Sequence, residues 1–177
     1  DVAALDPAWF DAAFGVYLGG GGLERARALT DRALSSEDPQ FRPEALDAVG
    51  GSGSNVVARW VLEDLRDPRL RPSEKRDMLG AIMQSGATRE QGYDWMHANL
   101  DRLLAGAGIF FSSRLPQMLV RLCSAERAAQ FAQGLRPLLA GKTAALELER
   151  VIERVTSCGQ FRKARGAAIA KQFAALT

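Results

Sequence analysis

The chain is predicted to be all-α, an α-solenoid of antiparallel helix pairs with about ten helices, and three features of the sequence lead there. Apolar residues recur at three- and four-residue spacing almost throughout, as one buried helix face requires. The β-branched alternation that strands need is nearly absent. Glycine clusters and Ser, Thr or Asp caps interrupt the pattern often enough to leave helices of about 10–16 residues with short connections, which place neighbours antiparallel. With 177 residues, 47% apolar and 25% charged, the chain can bury a sizeable core and lies far from the disordered class. It is read as one helical-repeat domain, 1–177, and, starting at Asp1, as a fragment of a longer polypeptide.

The first helix opens with Asp6 as cap and Pro7 at its first position, puts Phe10, Ala13, Phe14 and Tyr17 on one side, and stops at Gly19–Gly22. A second is expected from Leu23 to Ser35 and a third from Arg42 to Val49, after which Gly50, Gly51 and Gly53 break the chain. Ser54 caps a helix carrying Val57, Trp60, Val61 and Leu65, which ends before Asp67-Pro68. The next begins near Pro72, lines up Met78, Leu79, Ile82 and Met83, and ends at Gly86. Thr88, three residues before Gln91, fits a capping box for a helix carrying Tyr93, Met96, Leu100, Leu103 and Leu104. After Gly106 and Gly108 three or four more follow, Leu115–Leu122, Ala125–Leu139, Ala144–Thr156 and Phe161–Leu176, with Ser124 and Thr143 as caps. A run of such pairs is the arrangement of HEAT- or armadillo-like repeats, although no fixed period stands out.

His97 is the single histidine, which excludes H-E-x-x-H, since that motif needs two on one helix. It is read as an ordinary polar-face residue, because no nucleophile on a sharp turn accompanies it. Gly50-Gly51-Ser52-Gly53-Ser54 lacks the last glycine of G-x-S-x-G. Gly141-Lys142-Thr143 resembles the end of a phosphate-binding loop, but Arg136 stands where the first glycine is required and a helix precedes it in place of a strand. Cys123 and Cys158 form no C-x-x-C; two buried thiols are the expected state, with one disulfide as the alternative, and Cys158 is placed in a turn between helices. No catalytic or metal-ligating residue is assigned. Glu147, Glu149 and Glu153, interleaved with Arg150 and Arg154, read as a solvated charged face.

The net charge of +2 names no polyanionic partner, so no nucleic acid is expected, and no apolar run is long enough for a membrane span. Arg162, Lys163 and Arg165 in the last helix are candidates for contact with an anionic group such as a peptide carboxylate, with Lys171, Phe161 and Phe173 nearby. Abundant Ala, Arg, Gly and Leu suit a GC-rich bacterial gene.

The segment Ser85–Asp101, SGATREQGYDWMHANLD, resembles a stretch of the C-terminal helical domain of aminopeptidase N-type zinc aminopeptidases, the gluzincins that include the puromycin-sensitive and endoplasmic-reticulum enzymes. Tyr93, Trp95 and Asn99 carry the likeness, with Trp95 one or two places from its expected position. Asp67-Pro68-Arg69-Leu70-Arg71 upstream occupies the place of the family's repeated turns, and Phe110-Phe111-Ser112-Ser113, then Cys123-Ser124-Ala125-Glu126-Arg127-Ala128-Ala129-Gln130-Phe131, and then Ala145–Arg154 follow in the family's order, so that the likeness spans about 67–158. The resemblance implies a non-catalytic domain that covers the active-site chamber and controls access of a peptide substrate. Its partner would be the catalytic domain of the same polypeptide, where the enzyme's zinc is held. No cofactor is expected in this chain, and no peptide-contacting residue can be carried over. The alternative is a free-standing helical-repeat scaffold that binds a protein in its groove. Cellular compartment and oligomeric state are not legible.

Overall fold

The computed structural model describes residues 5–106, 109–142 and 144–175, and side chains among them outside 104–113. All regular elements among the described residues are helical. A 3-10 turn, Pro7–Trp9, leads into α1 (Phe10–Gly19), α2 (Gly22–Leu34), α3 (Phe41–Gly50), α4 (Asn55–Asp64), α5 (Pro72–Gln84), α6 (Arg89–Ala98) and α7 (Leu100–Gly106). Then come α8 (Ile109–Met118), α9 (Ala125–Leu139) and α10 (Ala144–Ala174). The chain divides into two compact units, Asp1–Gly106 and Ala107–Thr177, where the sequence reading treats it as one domain.

In the first unit each helix from α1 to α6 packs on its sequence neighbour, and alternate helices also touch: α1 on α3, α3 on α5, α2 on α4 and α4 on α6. The core begins with an aromatic cluster in which Phe10 and Phe14 stack at 5.3 Å and Phe41 meets both edge-on at 5.9 and 5.6 Å. It continues through Leu46, Val49, Val57 and Val61 to Leu79, Ile82, Met83, Tyr93 and Met96, all buried. α3 and α5 approach so closely that a Cβ at Gly50 would stand 2.7 Å from the Met78 carbonyl oxygen. α3 ends at Gly50 with Gly51 as its cap, and Gly53, at φ +70°, a left-handed conformation costly for other residues, turns the chain toward α4. Ser54 then caps α4, its Oγ accepting from Val57 N.

A buried ion pair ties α3 to α5. Arg42 donates from Nε to Glu74 Oε1 at 2.7 Å and from Nη2 to Oε2 at 3.0 Å. Its remaining donors reach the carbonyls of Leu34 at 3.0 Å and Arg69 at 2.8 Å, and Glu74 also accepts from Arg71 N at 2.8 Å. Every polar atom of the pair's fork is therefore engaged, the condition under which a desolvated charge is tolerable.

The second unit is built on α10, which packs against α8 and α9. Ala144, Leu148, Val151 and Val155 recur every three or four residues on its buried side, against Leu115, Leu119, Leu122, Phe131, Leu135 and Leu139. Ser124 caps α9 as expected, its Oγ accepting from Arg127 N at 3.2 Å. The expected Thr143 cap lies outside the described residues.

Several expectations need correction. Cys123 and Cys158 are joined in a disulfide, so they are not two free thiols. Cys158 does not sit in a turn, because the two helices expected at the C-terminus are one uninterrupted helix of 31 residues. Gly159 is there for proximity: a Cβ would meet Ala125 N at 2.6 Å, so the start of α9 presses directly on α10 beside the disulfide. Thr88 makes no capping box; its buried hydroxyl donates to the Ile82 carbonyl at 2.8 Å, sealing the end of α5. Asp6 accepts from Ala8 N at 2.9 Å, but the turn it opens is 3-10 and the α-helix starts at Phe10. The helix expected to run from Thr88 past Leu104 is interrupted at Asn99.

Candidate functional site

The three residues that carry the family likeness lie at α6 and its C-terminal cap, and they do not converge. Tyr93 is buried in the core beside Met96, its ring 5.9 Å from that of exposed His97. Trp95, two positions on, occupies the other side of the helix, half-buried, with the Arg102 guanidinium 5.7 Å above its ring. Asn99 ends α6: its backbone N–H and its Nδ2 both donate to the Trp95 carbonyl, at 3.1 and 2.8 Å. Trp95 and Asn99 thus share one helix end, and their role is to stop α6 and turn the chain into α7. Gly92 lets α6 seat on α5, since a Cβ there would come within 2.9 Å of Ile82 Cγ2.

A shallow groove of about 220 Å³ lies between α3 and α5, lined by Pro43, Glu44, Leu46, Asp47, Glu74, Asp77 and Met78. Its electrostatics are acidic. Partial desolvation raises the Asp47 carboxyl above its ordinary value, and repulsion from Glu44, Asp77 and Asp11 adds to that. Glu74 behaves oppositely. Desolvation works against its charge, but hydrogen bonds from Arg42 and the Arg71 amide, with both guanidinium charges, outweigh it and hold its pKa below the usual carboxylate value. Asp77 is engaged by neighbouring Arg76 at 2.7 Å. Nothing in the sequence pattern marks this groove, because its carboxylates come from two helices, α3 and α5, that are separated along the chain.

Arg162, Lys163 and Arg165 lie in the C-terminal half of α10, and all three are exposed. No described residue beyond Val155 is buried. Phe161 and Phe173, which helical spacing assigns to a core, are instead 61% and 67% exposed, and Ile169 is 38% exposed. The three basic residues therefore share with the aromatics the segment of α10 beyond Val155, in which no described residue is buried.

Among the described residues no group of three or more His, Cys, Asp or Glu side chains is placed to hold a metal ion, and no helix is long and apolar enough to cross a membrane. The chain matches no protein-family model and no curated protein.

Proposed function

We propose that this chain is a non-catalytic helical-repeat domain, the C-terminal part of an aminopeptidase N-type zinc aminopeptidase, which covers the substrate chamber and governs the entry of peptides. One structural observation supports it: in α1 to α6 each helix packs on its neighbour and on the next but one, so the elements form two rows of alternating helices, as stacked helix pairs do. Such a stack offers an extended surface for docking and confers no chemistry of its own. The resemblance over 67–158 selects the aminopeptidase from among the proteins that use such stacks, and in this reading zinc belongs to the catalytic domain of the same polypeptide. The same packing favours the second reading, a free-standing scaffold that binds a protein partner.

The polypeptide that naturally contains 1–177 distinguishes them. The aminopeptidase reading expects H-E-x-x-H upstream of Asp1 and one zinc per chain. It also expects deletion of 1–177 to alter hydrolysis of long peptides more than that of a short aminoacyl-nitroanilide. A reading frame that opens near Asp1 without that motif overturns it in favour of the scaffold.

A further inference from the structure

The exposed half of α10 has the makings of a surface-binding element, and this is independent of the aminopeptidase reading. From Gly159 to Ala174 it extends for about 24 Å at the helical rise of 1.5 Å per residue. Phe161, Arg165, Ile169 and Phe173 stand at four-residue steps, forming one ridge along it, with Arg162 beside them. From Val155 onward the sequence holds four cations, Arg162, Lys163, Arg165 and Lys171, and no acid, so the segment carries a concentrated positive field on a chain that is otherwise nearly neutral. Two phenylalanines mostly in water are a standing cost that contact with an apolar phase would relieve.

We infer that this segment docks on an anionic lipid surface, lying in the headgroup plane with the Phe161–Ile169–Phe173 ridge toward the acyl boundary. Charge complementarity selects this occupant. The same segment of a second copy is disfavoured, since it would bring four cations against four cations with no acid on either segment to pair with them. A nucleic acid would attract the cations but give the exposed Ile169 nothing apolar to meet. The cations also surround the helix: Arg165 lies within the ridge and Arg162 beside it, whereas Lys163 and Lys171 lie elsewhere on the circumference among alanines. A bed of headgroups can receive charges on several sides at once, because long basic side chains extend from an embedded helix toward the phosphates.

The test is sedimentation of the 177-residue chain with vesicles of phosphatidylglycerol and phosphatidylcholine, against phosphatidylcholine alone. Binding is expected only with the anionic vesicles, and to fall at least tenfold in 0.5 M salt. Phe161→Glu/Phe173→Glu and, separately, Arg162→Glu/Lys163→Glu/Arg165→Glu should each reduce it by at least tenfold. Because these residues are exposed, an unchanged helical circular dichroism signal and melting curve will show that the variants are folded. Equal binding to neutral vesicles, no binding to anionic ones, or binding that survives both variants overturns the inference. So does a segment-dependent dimer in sedimentation equilibrium, or segment-dependent binding to duplex DNA, in the absence of vesicle binding.

Discussion

The Arg42–Glu74 pair shows how much a single buried contact carries here. Both side chains are about nine-tenths buried and fully engaged, so removing Arg42 takes both of its hydrogen bonds from Glu74 and leaves that buried carboxylate the Arg71 amide at 2.8 Å and the Arg71 guanidinium 3.8 Å away. Arg42→Met is expected to destabilise the first unit by about 3–5 kcal/mol, and Arg42→Met/Glu74→Met by clearly less, read from urea denaturation. The pair also sets an acid limit. Because Glu74 has a folded pKa below its unfolded one, its contribution is present above the unfolded value of about 4.3 and is lost as pH falls through the folded pKa. Glu74→Gln should remove that part of the stability loss below about pH 4. Asp47 works with the opposite sign, since its raised pKa means that ionisation opposes folding. Asp47→Asn should therefore stabilise at pH 7, with the advantage vanishing as pH drops below the ordinary aspartate value. Glycine gives a second pair of opposed signs. Gly50→Ala drives a methyl into the Met78 carbonyl and should cost about 1–3 kcal/mol, whereas Gly80→Ala, in α5 with open space around it, should gain about 0.5–1 kcal/mol in the same melting assay.

At the scale of elements, α10 rests on two features that act at the same place, Gly159 and the Cys123–Cys158 disulfide. Closing a loop over a sequence separation of 35 stabilises by about 3–4 kcal/mol in the chain-entropy account. Reduction, or Cys158→Ser, should lower the melting transition of the second unit accordingly, while Gly159→Ala should weaken the seat of α9 with the disulfide intact. Much of the helical order was legible because it is written locally: Ser54 and Ser124 cap where a short polar side chain precedes an apolar periodicity, and Gly53 lies in the turn between α3 and α4 where the backbone is left-handed. What the sequence did not disclose depends on distance in space. Gly159 reads as a helix break along the chain, and only the approach of Ala125 explains a glycine inside a continuous helix. Arg42 and Glu74 are 32 positions apart, and Thr88 spends its hydroxyl on α5, which no local pattern announces. Of the candidate site residues, Arg162, Lys163 and Arg165 could be recognised as a basic cluster, since they are close in sequence. The exposure of Phe161 and Phe173 could not, because helical spacing shows which side chains share a face and is silent on whether anything packs there.

For the molecule as a whole, each of the two compact units has buried residues of its own: in the first they run from the Phe10–Phe14–Phe41 cluster to Met96, in the second from Leu115 to Val155. A perturbation inside one core should therefore be felt first in that core, and the ion pair and the disulfide allow the point to be tested from both sides. Hydrogen exchange by mass spectrometry is the suitable measurement, because it assigns the loss of protection to segments. Arg42→Met should accelerate exchange in α2, α3 and α5, which the guanidinium joins, and reduction of Cys123–Cys158 should do so in α9 and α10. From residue 160 to residue 175 the exchange rate should change little on reduction, since none of these residues is buried in the core that the disulfide holds. If either perturbation instead accelerates exchange evenly from residue 5 to residue 175, the two cores unfold as one cooperative body, and the division into units has no thermodynamic meaning.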